Sequence, residues 1–232
     1  MEEKKTMRQI VQDLLNEKKP EEIRQLTEEI EKMMVYYRCA MREVETKFRV
    51  LDDQLSLKRE RNPIESIKTR LKSMNSIQEK LQRNNLSFSC EAIEQNLNDV
   101  AGIRIICSFV DDVYMLADCL LRQDDITLIK KKDYIANPKP NGYRSLHLIV
   151  EIPIFLAEEK KSIRVEVQLR TIAMESWANL EHRMRYKKHL SEEKLLLTAD
   201  MLNECAAMSH QLDIKMQEIR NIVEGMHEGE MI

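Results

Sequence analysis

The chain has 232 residues, of which 33% are charged and 5% aromatic, and its formal net charge is −3. This composition is typical of a helix-rich globular protein, and the small negative charge excludes a general electrostatic affinity for DNA, while RNA binding through a local basic patch stays open without support. The five cysteines are widely spaced without a CxxC pair, so neither a disulfide framework nor a zinc site is expected. The N-terminus has no apolar leader and no apolar run is long enough to cross a membrane, so we expect a cytoplasmic protein without a membrane partner.

Two helices are predicted in the first region, 1–58. A capping box at 6–9 begins the first helix, and Pro20 suits the first turn of the second. The second helix carries an apolar or aromatic residue at every seventh position: Ile23, Ile30, Tyr37, Val44 and Leu51. This spacing predicts either a long helix packed on its own domain or one that also packs against another subunit.

The second region, 59–190, is predicted to be the core domain. Apolar spacing around 67–74 predicts a short helix, a capping box at 76–79 predicts another helix to about Arg83, and 91–97 predicts further helical turns. The following segments are predicted as strand, helix, strand, strand, strand and helix: 103–110, 111–122, 126–131, 145–152, 163–169 and 172–186. This order predicts an α+β fold, in which helices cover a mixed sheet.

The third region, 191–232, again has helical periodicity. Apolar residues occupy two positions of a heptad pattern, the first with a serine among them: Leu195, Leu202, Ser209, Met216 and Val223 at one, and Cys205, Leu212 and Ile219 at the other. Such a pattern predicts that this helix pairs with another helix, either within the chain or in a second chain.

Two acidic residues are candidates for chemistry. Alternate side chains of the strand at 165–170 share one face, which places Glu166, Gln168 and Arg170 together. That face is either a solvated surface or a pocket wall, where a carboxylate binds Mg²⁺ or acts as a general base. Asp99 is either a turn residue or a second Mg²⁺ ligand, and it converges with Glu166 if their strands are neighbours.

Basic and aromatic residues suggest an anionic ligand with a planar ring. The segment 130–144 has five basic residues against one acid and holds Tyr143 at the start of a strand. This segment is either a solvated loop or a site where lysines neutralise phosphates and the tyrosine stacks on a purine. His147 is either a core residue or part of the same site. Arg104 lies within an apolar strand and therefore needs a partner or an aromatic face.

Four motifs in this order resemble the synthetase domain of the RelA/SpoT-like alarmone enzymes: NDVAGIRI at 98–105, KDYIANPKPNGYRSLH at 132–147, VEVQLRT at 165–171 and AMESWANLEHRMRYK at 173–187. The resemblance covers about residues 60–190, and the flanking helices are similar to those of the small alarmone synthetases. It implies a nucleotidyltransferase-like mixed sheet and transfer of pyrophosphate from ATP to the 3′-hydroxyl of GDP or GTP, with Mg²⁺ as cofactor. It also implies a homotetramer formed through the terminal helices.

The resemblance assigns a role to each matching residue. Asp99 and Glu166 would bind Mg²⁺, and Glu166 would also activate the 3′-hydroxyl as the general base. The ATP-binding residues would be Arg70, Lys72, Lys80, Arg83 and Arg104, with Arg70 and Arg104 on the two faces of adenine. The acceptor nucleotide would contact Lys132, Lys139, Tyr143, His147 and Gln168, with Tyr143 stacked on guanine.

The chain departs from the family pattern at two positions, and two other functions also fit the same fold. Glu175 stands where relatives often have Asp or Asn, in a region that can touch the acceptor base, which leaves the acceptor preference open. Ser66 stands where members regulated by a bound alarmone have an aromatic residue, so that regulation is not assumed. No His-Asp dipeptide occurs, so alarmone hydrolysis is not expected. The alternatives are a regulator on the same fold that binds nucleotides or RNA, and a pyrophosphokinase that uses adenosine nucleotides as acceptors.

Overall fold

The computed structural model describes residues 20–59, 62–185 and 192–225. The helices are α1 Pro20–Arg59, α2 Met74–Arg83, α3 Cys90–Asn96, α4 Val110–Leu121, α5 Ile172–Arg185 and α6 Glu192–Val223. The strands are β1 Ile64–Leu71, β2 Ala101–Cys107, β3 Thr127–Asp133, β4 Leu146–Phe155 and β5 Lys160–Thr171. The predicted capping box at 6–9 and the helix that follows it lie outside the described residues.

The strands form one mixed five-stranded sheet in the order β1-β2-β5-β4-β3. The central pair, β2 and β5, is parallel, and the other three pairs are antiparallel. Gly102 of β2 lies opposite Glu166 of β5 in this register. The segment that leads into β2 and the middle of β5 are therefore brought together, as the predicted convergence of Asp99 and Glu166 requires.

Helix α1 packs along the sheet through an apolar face. The buried side chains on this face are Ile30, Met33, Tyr37, Ala40, Val44 and Phe48. They belong to the same core as the inward residues of β2, β4 and β5. The seven-residue spacing in α1 is thus explained by packing on its own domain, as the first interpretation predicted.

Helix α6 packs differently. The side chains that it buries include two charged ones and two apolar ones: Leu202, Ala206, Asp213 and Arg220. Many of its large apolar side chains are exposed, among them Met208, Leu212, Met216 and Ile219. Leu202 is therefore a contact within the chain, whereas Leu212 and Met216 of the same heptad pattern are not.

The short helix predicted around 67–74 is wrong, because residues 64–71 form the edge strand β1. Ile64 is buried on this strand, but Ile67 and Leu71 are only partly buried, and the basic residues between and beside them are exposed. The next helix is real but begins at Met74, and its N-cap is Ser73, whose hydroxyl accepts from the backbone N–H of Ser76. The remaining predicted helices and strands between 91 and 185 are confirmed within a few residues.

Within the described residues, no helix is both long enough and apolar enough to cross a membrane.

Candidate active site

A cleft of about 380 Å³ opens over the polar ends of the paired strands β1, β2 and β5. Its lining is strongly polar, and it contains both acids predicted from the sequence: Lys68, Thr69, Arg70, Lys72, Asp99, Gly102, Ile103, Arg104, Glu166 and Gln168. The two carboxylates therefore share one cavity, and several cations face them. We call Lys68, Arg70, Lys72, Lys80 and Arg104 the cationic wall.

Strand β5 supplies the floor of this cleft because its side chains alternate. Val165, Val167 and Leu169 are fully buried in the core. Glu166 and Gln168 point to the opposite side and line the cleft, and Gln168 Nε2 donates to Glu166 Oε2 at 2.9 Å. The predicted alternation is therefore confirmed, and the polar face is a pocket wall rather than a solvated surface.

Asp99 lies just before β2 and is held by two lysines of the cationic wall. Lys72 Nζ lies 2.6 Å and Lys80 Nζ 2.8 Å from its Oδ2 atom. Burial raises the pKa of this carboxyl, but the two lysines outweigh burial, and the net pKa lies below the ordinary value. Asp99 is thus a carboxylate at neutral pH.

Glu166 is connected to a histidine. Its Oε1 atom lies 3.4 Å from Nδ1 of His147, and these residues lie on the adjacent strands β5 and β4. Burial and the nearby Asp99 raise the pKa of Glu166, whereas the bonds from His147 and Gln168 lower it, and the net effect is a lowered pKa. Glu166 is therefore ionised and able to accept a proton near neutral pH.

Aromatic rings form the side of the site next to His147. The ring of Tyr134 lies 6.0 Å from that of Tyr143 and 5.3 Å from that of His147, in edge-on geometry. Lys139 Nζ lies 4.8 Å from the Tyr134 ring centre and 4.9 Å from that of Tyr143. We call these four residues the aromatic wall, and it combines a planar stacking surface with a positive charge.

The aromatic wall is linked to Glu166 by hydrogen bonds. Tyr143 Oη lies 2.8 Å from His147 Nε2, and the other ring nitrogen of His147 faces Glu166. Arg170 Nη2 donates to Tyr143 Oη and also to Gln168 Oε1, the latter at 3.1 Å. The position of Tyr143 is therefore coupled to that of the candidate base.

Neither Arg170 nor Glu175 is among the predicted catalytic or nucleotide-binding residues, yet both are buried, and Glu175 contacts two residues of the cleft. Arg170 Nη1 donates to Glu175 Oε2 at 2.9 Å, while Lys68 and Arg104 donate to Glu175 Oε1 at 3.0 and 3.1 Å. Glu175 is therefore the partner that Arg104 was predicted to need. The alternation of side chains on β5 predicted that Arg170 shares a face with Gln168. This was the sequence signal for the position of Arg170.

Helix α6 supports the loop that carries Tyr143. Gly142 has φ +81°, and a Cβ atom there would lie 2.3 Å from the Cβ of Ala206, so only glycine fits this approach. Next to Tyr143, the buried Arg144 donates to the buried Asp213 at 3.0 Å. The aromatic wall is therefore fixed from behind by the C-terminal helix.

The remaining predicted site residues lie at the margins of the cleft. Arg70 is exposed on β1 and lines the cleft. Arg83 is exposed at the end of α2, where its Nε donates to the carbonyl of Glu79, and it is not among the lining residues. Lys132 is exposed on β3, directly opposite His147 in the sheet register.

The carboxylate oxygens of Asp99 and Glu166 suit a hard divalent cation whose coordination is completed by a bound ligand. Asp99 Oδ1 is buried and has no hydrogen-bond partner, so one carboxylate oxygen remains available. No cluster of three or more His, Cys, Asp or Glu side chains suited to a metal occurs in the part of the chain that the structure describes. A site of two carboxylates plus phosphate oxygens suits Mg²⁺, which is usually bound in this way.

Comparisons with known proteins agree with this geometry. Residues 69–191 match the family model described as a region found in RelA / SpoT proteins. GTP pyrophosphokinase YwaC of Bacillus subtilis (strain 168) is 39% identical over 204 residues, which cover 88% of this chain and 96% of YwaC.

Solved structures give the same result. The crystal structure of small alarmone synthetase 2 from Bacillus subtilis has a TM-score of 0.73 at 39% identity, covering 82% of this chain and 97% of that chain. Small alarmone synthetase 1 from the same organism, bound to its product pppGpp, has a TM-score of 0.75 at 34% identity, covering 84% of this chain and 98% of that chain. The chain therefore belongs to the RelA/SpoT-like family, among its small alarmone synthetases.

Proposed function

We propose that this chain is a (p)ppGpp synthetase, which transfers pyrophosphate from ATP to the 3′-hydroxyl of GDP or GTP. The observation that carries this proposal is the cleft that holds Asp99 and Glu166 beside the cationic wall, with the aromatic wall connected to Glu166 through His147. The positive charges of the cationic wall suit a triphosphate, and the rings of the aromatic wall suit a purine acceptor. The relative bound to its product pppGpp supports the same assignment.

ATP is proposed to bind at the cationic wall. Arg70 and Arg104 lie on the paired strands β1 and β2, and their guanidinium groups suit the two faces of adenine. Lys72 and Lys80 at Asp99 would meet the phosphates as point charges. Arg83 lies further along α2 and would reach only the outer phosphates.

The acceptor nucleotide is proposed to bind at the aromatic wall. Tyr143 would stack on guanine, and Lys139, beside the ring, would contact phosphates together with Lys132. Glu166 would then face the 3′-hydroxyl and take its proton, while His147 and Gln168 hold its carboxylate in place. These contacts favour an ionised base, which general-base catalysis at neutral pH requires.

Asp99 and Glu166 would together hold Mg²⁺ with the phosphates of the bound nucleotides. When bound, the ion would neutralise negative charge on the transferred pyrophosphate. The unpaired Oδ1 of Asp99 supports this role. Since the two substrates are cytoplasmic metabolites, the proposed reaction also implies a cytoplasmic location.

The reaction is tested by incubating the purified protein and Mg²⁺ with labelled ATP and one acceptor at a time: GDP, GTP, ADP or AMP. Labelled ppGpp or pppGpp with the guanosine acceptors is the expected product. Labelled product only with ADP or AMP would instead establish an adenosine-specific pyrophosphokinase. No product with any acceptor, despite nucleotide binding, would contradict the enzyme and favour a binding regulator.

We also propose that four copies assemble through the terminal helices. Helix α6 leaves a stripe of apolar side chains exposed, including Met208, Leu212, Met216 and Ile219, and helices with such stripes usually bury them against a partner. Leu212→Lys combined with Met216→Lys should dissociate the assembly and leave folded subunits. Gln211→Lys, an exposed polar neighbour, is the control. Light scattering that shows a monomer for the unmodified protein at micromolar concentration would contradict this proposal.

A further inference from the structure

We propose that Glu175 is a positioning residue shared by the two nucleotide sites, so that binding of ATP and of the acceptor strengthen each other. The inference rests on the proposed function, because it uses the assignment of one nucleotide to each wall. It concerns neither the catalytic base nor the metal ligands. It assigns a role to a side chain that lies below the cleft and is only 6% exposed.

The two carboxylate oxygens of Glu175 bind different partners, Oε1 the cationic wall and Oε2 the guanidinium of Arg170. Oε1 accepts from Lys68 at 3.0 Å and Arg104 at 3.1 Å, both in the cationic wall. Oε2 accepts from Arg170 at 2.9 Å. A single buried anion therefore binds three cations, of which Lys68 and Arg104 line the cleft and Arg170 contacts the aromatic wall.

Arg170 transmits this contact to the aromatic wall. Its Nη2 donates to Tyr143 Oη, and its guanidinium carbon lies 5.0 Å from the centre of the same ring. Arg170 is itself only 4% exposed and also contacts Ser145. Its orientation, and with it the stacking surface of Tyr143, therefore depends on Glu175.

Charge accounts for the strength of this connection. Burial raises the pKa of Glu175, but its cationic partners and Asn179 outweigh burial and leave the pKa below the ordinary value. Glu175 is thus a carboxylate at neutral pH, and each bond from a guanidinium is charge-assisted. A neutral amide at the same position keeps the shape but loses this attraction.

Because both nucleotide sites share the carboxylate of Glu175, each nucleotide should increase the affinity of the protein for the other. ATP fixes Arg104 and thereby Glu175, so the acceptor then meets an Arg170 and a Tyr143 that are already ordered. By linkage, the acceptor must strengthen ATP binding by the same factor. We expect that factor to be about fivefold or more, the lower end of typical coupling between sites.

The test measures binding by calorimetry with a non-hydrolysable ATP analogue and GDP, each alone and with the other at saturation. In the unmodified protein each ligand should tighten the other about fivefold or more. In Glu175→Gln that factor should fall close to one. Glu151→Gln removes a carboxylate beside Arg164 outside the cleft, and this control should keep the full factor.

The outcomes separate positioning from a purely structural role. A structural role would lower the melting temperature and both single affinities of Glu175→Gln but leave the coupling factor unchanged, and this result would overturn the proposal. A factor of one in the unmodified protein would overturn it as well. If instead neither ligand binds the unmodified protein, the proposed function itself fails, and the two failures are thereby distinguished.

Discussion

The cationic wall and the aromatic wall both adjoin the candidate base Glu166 or its cleft, but they are held in place by different forces. Arg70 and Lys68 extend from β1, the edge strand of the sheet, and both are exposed. Tyr143 and His147 instead form a packed cluster of rings. Behind this cluster, the buried Arg144–Asp213 pair attaches the loop to α6.

This difference matches what each wall is proposed to recognise. Charge attraction acts over several ångströms and tolerates long, exposed side chains, which suits a flexible triphosphate. Stacking needs two surfaces in contact, so a ring that stacks must be fixed by its neighbours. Substitutions in the aromatic wall should therefore weaken the binding of one nucleotide and spare the other. Substitutions in the cationic wall should weaken binding by smaller steps, one for each charge that is removed.

Glu166 lies where the two walls meet, and its loss should have the largest effect. Glu166→Gln keeps the shape but cannot take the proton, so we expect turnover to fall by about 10²–10⁴-fold. Binding of each nucleotide, measured without Mg²⁺, should change much less than turnover, since no side chain of either wall is removed. Single-turnover product formation and separate binding titrations measure the two quantities. Turnover close to that of the unmodified protein would show that Glu166 is not the base.

Tyr143 tests the aromatic wall by itself. Tyr143→Ala should weaken acceptor binding by about 1–3 kcal/mol, the value of a ring stacked on a base, and leave the affinity for the ATP analogue nearly unchanged. Tyr143→Phe keeps the ring and loses only the hydroxyl contacts with Arg170 and His147, so it is the matched control. Equal weakening of both nucleotides by the alanine variant would indicate a structural tyrosine instead.

Arg70 tests the cationic wall, with a smaller expected effect. Because the side chain is exposed, removal of its proposed contact with adenine in Arg70→Ala should weaken ATP binding by about 0.5–2 kcal/mol. Acceptor affinity should be unaffected. Arg70→Lys retains the charge without the planar group and should recover only the part of the affinity that a point charge over the ring supplies. A larger loss of acceptor binding than of ATP binding would contradict the assignment of this wall.

The sequence predicted the floor of the cleft on β5 and three residues of the aromatic wall, Lys139, Tyr143 and His147, whereas Tyr134 was not predicted. Strand β5 is central and buried on one face, so its alternation of apolar and polar residues identified both the core and the pocket floor. Glycine beside Tyr143 at a strand start also marked the loop. These signals are local, and the structure brings them together as expected.

Strand β1 lacked such a signal. As an edge strand it buries little, and the spacing of Ile67, Leu71 and Met74 also fits a helix. The sheet decides the outcome, because β1 pairs with β2 from residue 64 to residue 71. Glu175 was likewise visible only as a departure from the family pattern, since its three cationic partners come from β1, β2 and β5.

The heptad patterns of α1 and α6 show the same limit. Both were compatible with packing inside the chain or against another chain. In α1 the repeated residues Ile30, Tyr37 and Val44 are buried on the sheet. In α6, among the repeated residues whose side chains the structure describes, Leu202 is buried while Leu212 and Met216 are exposed, and the charged Asp213 and Arg220 are buried on the inner face. Spacing identifies a helical stripe but not the surface that covers it.

The smallest expected effect is a dependence of thermal stability on acid pH, which Asp99 beside the cationic wall should cause and the aromatic wall should not. The pKa of Asp99 is lowered in the folded protein because Lys72 and Lys80 outweigh the effect of burial. Its contribution to stability is therefore complete above the ordinary value of 3.8 and is lost as the pH falls through the lowered pKa.

Asp99→Asn lacks this contribution and should melt at a lower temperature than the unmodified protein at neutral pH. The gap should begin to narrow as the pH falls below 3.8 and should continue to narrow toward the lowered pKa, where Asp99 takes up a proton in the folded protein as well. Tyr143→Phe, in the aromatic wall, removes no carboxyl group and should show a gap that is constant with pH. Melting temperatures of the three proteins between about pH 7 and about pH 3 measure both trends. A constant gap for Asp99→Asn would mean that the two lysines do not hold this carboxylate in its ionised form.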